Sequence, residues 1–181
     1  MTLALVMGSA GATETARPEL EHVLSMLNKE RASGDATFFT DSYLSTLTIP
    51  VQLEIARRLS ADSSTQYASY GALLLVRLKH AEEAVAPTAR LLLTGSDVSG
   101  LFWSWRNFDD PCLTDFMTVQ LGSYLLRQHR TLHFAQRRRA EAYLATLGPP
   151  AGPFREDVAQ ANLRIIRDRL GGRGCPKLDG E

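Results

Sequence analysis

Apolar positions recur along this chain with the spacing of one helix face after another. Leu20, Val23, Leu24 and Leu27 form an i, i+3, i+4, i+7 stripe, with Pro18 in what reads as a first turn. Ala32-Ser-Gly-Asp-Ala36 interrupts that helix, and a short aromatic segment follows with Phe39, Tyr43 and Leu47 on one side. A helix opening near Pro50 uses Leu53, Ala56 and Leu59. The next, from Thr65, carries Tyr67, Tyr70, Leu74 and Leu78 on one face, broadened by Leu73 and Leu75, which predicts deep burial. The helix after His80 places Glu82 and Glu83 in its first turn, is restarted or kinked at Pro87, and stops at Thr94-Gly95.

Ser96 or Asp97 then caps a helix built on Val98, Leu101, Phe102 and Trp105. Asp110-Pro111 is an N-cap followed by an N1 proline, and opens a helix with Leu113, Phe116, Met117, Leu121, Tyr124 and Leu125 inward. A bend near Arg130-Thr131 leads to a helix facing inward with Ala140, Tyr143, Leu144 and Leu147. Gly148-Pro-Pro-Ala-Gly-Pro153 is a linker. A last helix uses Phe154, Val158, Ala161, Ile165 and Ile166, until Gly171-Gly172 ends it. No stretch alternates with period two, so no strand is predicted.

The pattern predicts an all-α single domain of eight or nine helices in antiparallel pairs, arranged as an irregular bundle or a short HEAT-like stack. Pro50 and Pro87, 37 residues apart, hint at a repeat close to the ~40–47 residues of HEAT units, but Pro111 breaks the period. The domain spans 17–172, with 1–16 a disordered tail or truncated signal segment and 173–181 a C-terminal tail. Leu3–Met7 followed by Ser9-Ala-Gly-Ala12 resembles a short leader with a small-residue cleavage site, without the usual basic start. Export to the periplasm or secretion is the expected localisation, with the cytoplasm as the alternative.

With 44% hydrophobic and 22% charged residues, the 181-residue chain has an ordinary globular composition. Its 20 basic and 20 acidic side chains cancel, but unevenly: residues 1–120 carry −5 and residues 121–181 carry +5. Arginine dominates the basic end. Nucleic acid is not the expected partner of a chain with zero net charge and no binding motif. No run is long and apolar enough to span a bilayer. The two cysteines, Cys112 and Cys175, would close a 63-residue loop if oxidised.

Motifs for catalysis are missing. His129 and His133 stand at i, i+4, but Arg130 occupies the place a zinc protease gives to its glutamate, and no third ligand lies nearby in sequence. Ser99 and Ser123 lack the Gly-x-Ser-x-Gly elbow. Glu82-Glu83, Asp109-Asp110 and Glu156-Asp157 all sit at helix starts, where the dipole accounts for them. No metal, cofactor or catalytic residue is expected.

Leu101-Phe-Trp-Ser-Trp-Arg-Asn-Phe108 holds both tryptophans. On a helix they point about 200° apart, so one of them faces away from the core. Trp103, Trp105 and Arg106 form the first candidate protein-binding site, and the arginine group Arg127, Arg130, Arg137, Arg138 and Arg139 is the second candidate, with Arg130, Arg137 and Arg138 as its protein-binding residues. The leading expectation is a non-catalytic protein-binding protein of immunity, inhibitor or adaptor type, with an acidic protein as partner. An enzyme with scattered catalytic residues, and a cytoplasmic nucleic-acid-binding or regulatory protein using the arginine-rich face, are the alternatives.

Overall fold

The computed structural model describes residues 9–33, 37–108, 110–148 and 153–175. Among these residues there are nine α-helices, one 3-10 turn and no strand. The helices are α1 (Ser9–Ser33), α2 (Phe38–Leu44), α3 (Ile49–Ala61), α4 (Thr65–Arg77), α5 (Ala81–Thr94), α6 (Ser99–Asn107), α7 (Pro111–Gln128), α8 (Phe134–Ala145) and α9 (Glu156–Gly172). The fold is all-α, with helices packed in pairs around one continuous core. Residues 1–8, 34–36, Asp109, the middle of the Pro/Gly linker (149–152) and 176–181 belong to segments singled out in the sequence and lie outside the described residues.

Helix α1 begins well before Pro18, which lies inside it and not in its first turn. Residues 9–16 of the expected tail or leader therefore belong to this helix, consistent with the alanines there. Val23 and Leu27 face the core, and α1 packs on α3. The turn into α2 is organised by Glu30. Its buried carboxylate accepts the backbone N–H groups of Phe39 (2.6 Å) and Thr40 (3.2 Å) and the Thr40 hydroxyl. A carboxylate there satisfies helix-start N–H groups that otherwise lack partners. It also turns Thr40 inward and Phe39 outward, correcting the expectation that Phe39 shares the inner face of Tyr43 and Leu47. Asp41 then ties α2 to α4 by accepting from the Tyr70 hydroxyl (2.6 Å) and pairing with Arg77 (2.9 Å). Burial and the Asp41 contact both push the Tyr70 phenol up.

Helix α3 crosses α4 with main chain against main chain at Gly71. A Cβ on Gly71 would stand 2.2 Å from the Ser60 backbone nitrogen and 2.8 Å from the Ala56 carbonyl. Bare backbone is what lets the two helices touch. Helix α4 is buried as broadly as its pattern predicts, through Ala68, Tyr70, Ala72, Leu74, Leu75 and Val76. Pro87 lies in the middle of an unbroken α5, whereas Pro50 occupies the first turn of α3, so the proline echo marks no structural repeat.

Helix α7 is opened as the sequence predicts, with Asp110 Oδ1 accepting from the N–H groups of Cys112 (2.9 Å) and Leu113 (3.1 Å). It ends in the 3-10 turn His129–Thr131, the predicted bend. Helix α9 runs antiparallel along α7: Leu163 covers Gly122, Arg173 reaches Asp115, and Cys175 meets Cys112. Its inner face is Ala159, Leu163 and Ile166. Ile165, expected inside, is exposed, because the helix is turned about its axis relative to the predicted stripe.

Candidate functional site

Asp97 Oδ1 accepts the Ser99 N–H at 2.8 Å just ahead of α6. The inner face of this helix is fixed by aromatic packing. Trp105 meets Phe102 edge-on with ring centroids 5.1 Å apart, and Phe102 stacks on Tyr143 of α8 at 5.6 Å. Trp105 is 3% exposed, and among the described residues its indole N–H has no partner. Trp103, two residues earlier, points to solvent and is 67% exposed. The angular separation read from the sequence is realised here, with one indole in the core and one outside.

The outer face of α6 carries Ser99, Gly100, Trp103, Arg106 and Asn107, all exposed. Trp103 and Arg106 are one turn apart and share that face. Asn107 Nδ2 donates to the Trp103 carbonyl at 2.7 Å, bracing the last turn. Among the described residues Arg106 has no ion pair.

The arginines of the second candidate are spread over separate contacts. Arg139 donates to the Leu93 carbonyl at 2.7 Å and lies over Gly95, closing the end of α5. Arg137 donates to the Leu132 carbonyl at 3.2 Å, and its Nε is buried. Arg130 reaches Glu156 at 3.7 Å, and Arg138 is exposed on α8. No hydrogen bond or ring contact joins Trp103 or Arg106 to Arg130, Arg137 or Arg138 among the described residues.

The bend separates the two histidines of the i, i+4 pair. His129 contacts Glu141 at 3.0 Å, while His133 precedes α8 and its N–H is accepted by Gln136 at 3.3 Å. No group of three or more His, Cys, Asp or Glu side chains among the described residues is placed to hold a metal ion. Ser123 lies 3.4 Å from Arg167, a cation and not a base.

Two grooves form only once the helices pack, although Arg127 of the second belongs to the arginine group read from the sequence. The larger, about 680 Å³, runs between α5, α7 and α8 over Pro87, Leu93, Tyr124 and Leu132. Arg90 at its edge is already committed, donating to the Ser60 (2.7 Å), Asp62 (3.0 Å) and Ala61 (3.3 Å) carbonyls at the end of α3. The second, about 490 Å³, lies between α7 and α9. Arg127, Arg164 and Arg167 line it with Ser123 and Gln160 over Leu126 and Leu163. Both grooves join residues from distant parts of the chain, which a reading along the sequence does not bring together.

Cys112 and Cys175 sit at disulfide distance with their Cα atoms 5.6 Å apart, and no described helix is long and apolar enough to cross a membrane. No protein-family model matches the chain, and none of the curated proteins or solved structures matches it.

Proposed function

We propose that this is a non-catalytic helical docking protein of the immunity, inhibitor or adaptor type, working in an oxidising compartment on an acidic protein partner. The observation that carries the reading is Trp103, held in solvent beside Arg106 on a helix whose opposite face is locked by Trp105, Phe102 and Tyr143. A rigid indole loses little conformational freedom when a partner covers it, and tryptophan and arginine are the side chains most enriched at energetic centres of interfaces. Arg106 supplies the charge that selects an acidic surface. The Cys112–Cys175 pair supports the oxidising compartment, where such bridges persist.

The test is crosslinking affinity purification with identification of the partner by mass spectrometry, followed by affinity measurement on the purified pair. Trp103→Ala is expected to weaken binding at least about tenfold, and Arg106→Ala to slow association and reduce its salt dependence. Phe134→Ala, which removes an exposed aromatic ring on α8, is expected to leave binding unchanged. Equal losses in Trp103→Ala and Phe134→Ala would remove α6 as the docking face. Recovery of a small molecule in place of a protein would remove the reading altogether.

A further inference from the structure

We infer that the groove between α7 and α9 is a binding site for a small polyphosphate, a soluble ligand carrying two or more linked phosphate groups. Arg127 comes from α7, and Arg164 and Arg167 come from successive turns of α9, so cations stand on both walls of one groove of about 490 Å³. Most arginines elsewhere among the described residues are matched to acids or helix-end carbonyls, Arg106 and Arg138 standing singly on outward faces. Arg57 holds Glu83, Arg77 holds Asp41, Arg155 holds Asp157, and Arg169 and Arg173 share Asp115. Arg90 and Arg139 close helix ends.

The three groove arginines have no such counter-charge among the described residues. The acid lining the groove, Asp157, is taken by Arg155 at 2.6 Å, and Asp168, one turn beyond Arg164, makes no ion pair among the described residues. Like charges facing one another raise the energy of the free protein, and an anion between them relieves that repulsion.

The side chains also suit phosphate. Guanidinium forks bind tetrahedral oxyanions through paired N–H groups, and three of them from two walls match several linked phosphates better than one. Arg167 reaches across to the Ser123 hydroxyl at 3.4 Å, so Ser123 stands ready to donate to the same ligand, and Gln160 adds an amide. Leu126, Ala161 and Leu163 line the same groove and contribute no negative charge.

The test is calorimetric titration of the full-length protein with inorganic tripolyphosphate at fixed ionic strength of about 0.15 M, where diffuse attraction is screened. Saturable one-to-one binding is expected, at least about tenfold tighter than orthophosphate or sulfate. Arg127→Gln and Arg164→Gln are each expected to weaken it about tenfold, with unchanged circular dichroism. Arg138→Gln, an exposed arginine outside the groove, is expected to bind as the parent does. Absence of binding overturns the site, as does an equal loss in Arg138→Gln. Duplex DNA or anionic vesicles that bind more tightly and resist displacement by tripolyphosphate would also overturn it, assigning the groove to a macromolecular surface.

Discussion

Gly71 and Lys79 show how much one backbone position decides in α4. The missing Cβ of Gly71 is what allows α3 to approach, and the atoms it would strike are main chain, which cannot rotate away. Gly71→Ala is therefore expected to destabilise by about 3 kcal/mol, the upper end of the overpacking range, read as a lower urea midpoint. Lys79 presents the opposite case. It ends α4 in the left-handed region at φ 69°, with the His80 N–H bonded to the Leu75 carbonyl at 2.8 Å. Helix α5 closes with the same geometry, the Ser96 N–H on the Leu91 carbonyl, but has Gly95 at the left-handed position. Lys79→Gly removes Cβ strain and is expected to stabilise by about 0.5–1 kcal/mol, after the glycine's own entropy cost. Neither effect could be read along the chain. A mid-helix glycine looks like a weakness until its neighbour is known, and Arg139 closes α5 from 46 residues away.

Among the elements, the helices themselves were written in the spacing of Leu, Val and Ala, and the caps that hold locally, such as Asp110, were readable too. What failed was the facing of amphipathic helices with two overlapping stripes. In α9, Val158, Ala161 and Ile165 compete with Ala159, Leu163 and Ile166, and only packing against Gly122 of α7 decides between them. The sulfur pair fastens the far end of this helix. In the chain-entropy picture a bridge across 63 residues contributes about 4 kcal/mol, so Cys112→Ser should lower the unfolding free energy by up to that amount, read as a lower denaturation midpoint, and speed amide exchange in the last turns of α9. Between α3 and α5 one link is ionic, beside the Arg90 bonds to the end of α3. Glu83 accepts two bonds from Arg57, both at 2.7 Å, and contacts His80 Nδ1 at 3.0 Å. The Arg57 bond holds the Glu83 carboxyl below its ordinary range. A depressed folded value means the contribution is complete above the unfolded carboxyl range and is lost as pH falls through the folded value. Glu83→Gln is expected to flatten that part of the acid limb in a stability-versus-pH series, leaving the neutral plateau little changed because the pair is largely solvated.

For the molecule as a whole, the charge imbalance seen in sequence resolves into unequal fates for its arginines. Most close helices or meet acids, and the residual positive character gathers between α7 and α9 and at isolated outward positions such as Arg106 and Arg138. The α6 segment was visible beforehand because both tryptophans fall within three residues; the α7–α9 groove was not, because its walls are thirty or more residues apart in sequence. That tryptophan pair also makes the protein its own spectroscopic probe. Trp103 should emit at long wavelength and be quenched by acrylamide, while Trp105 should emit to the blue and resist quenching until the chain unfolds. Biphasic Stern–Volmer plots are the expected signature, and loss of the accessible component on adding a candidate partner would locate contact on α6 without any label. Trp103→Phe should leave a single, protected emitter whose red shift follows denaturation alone.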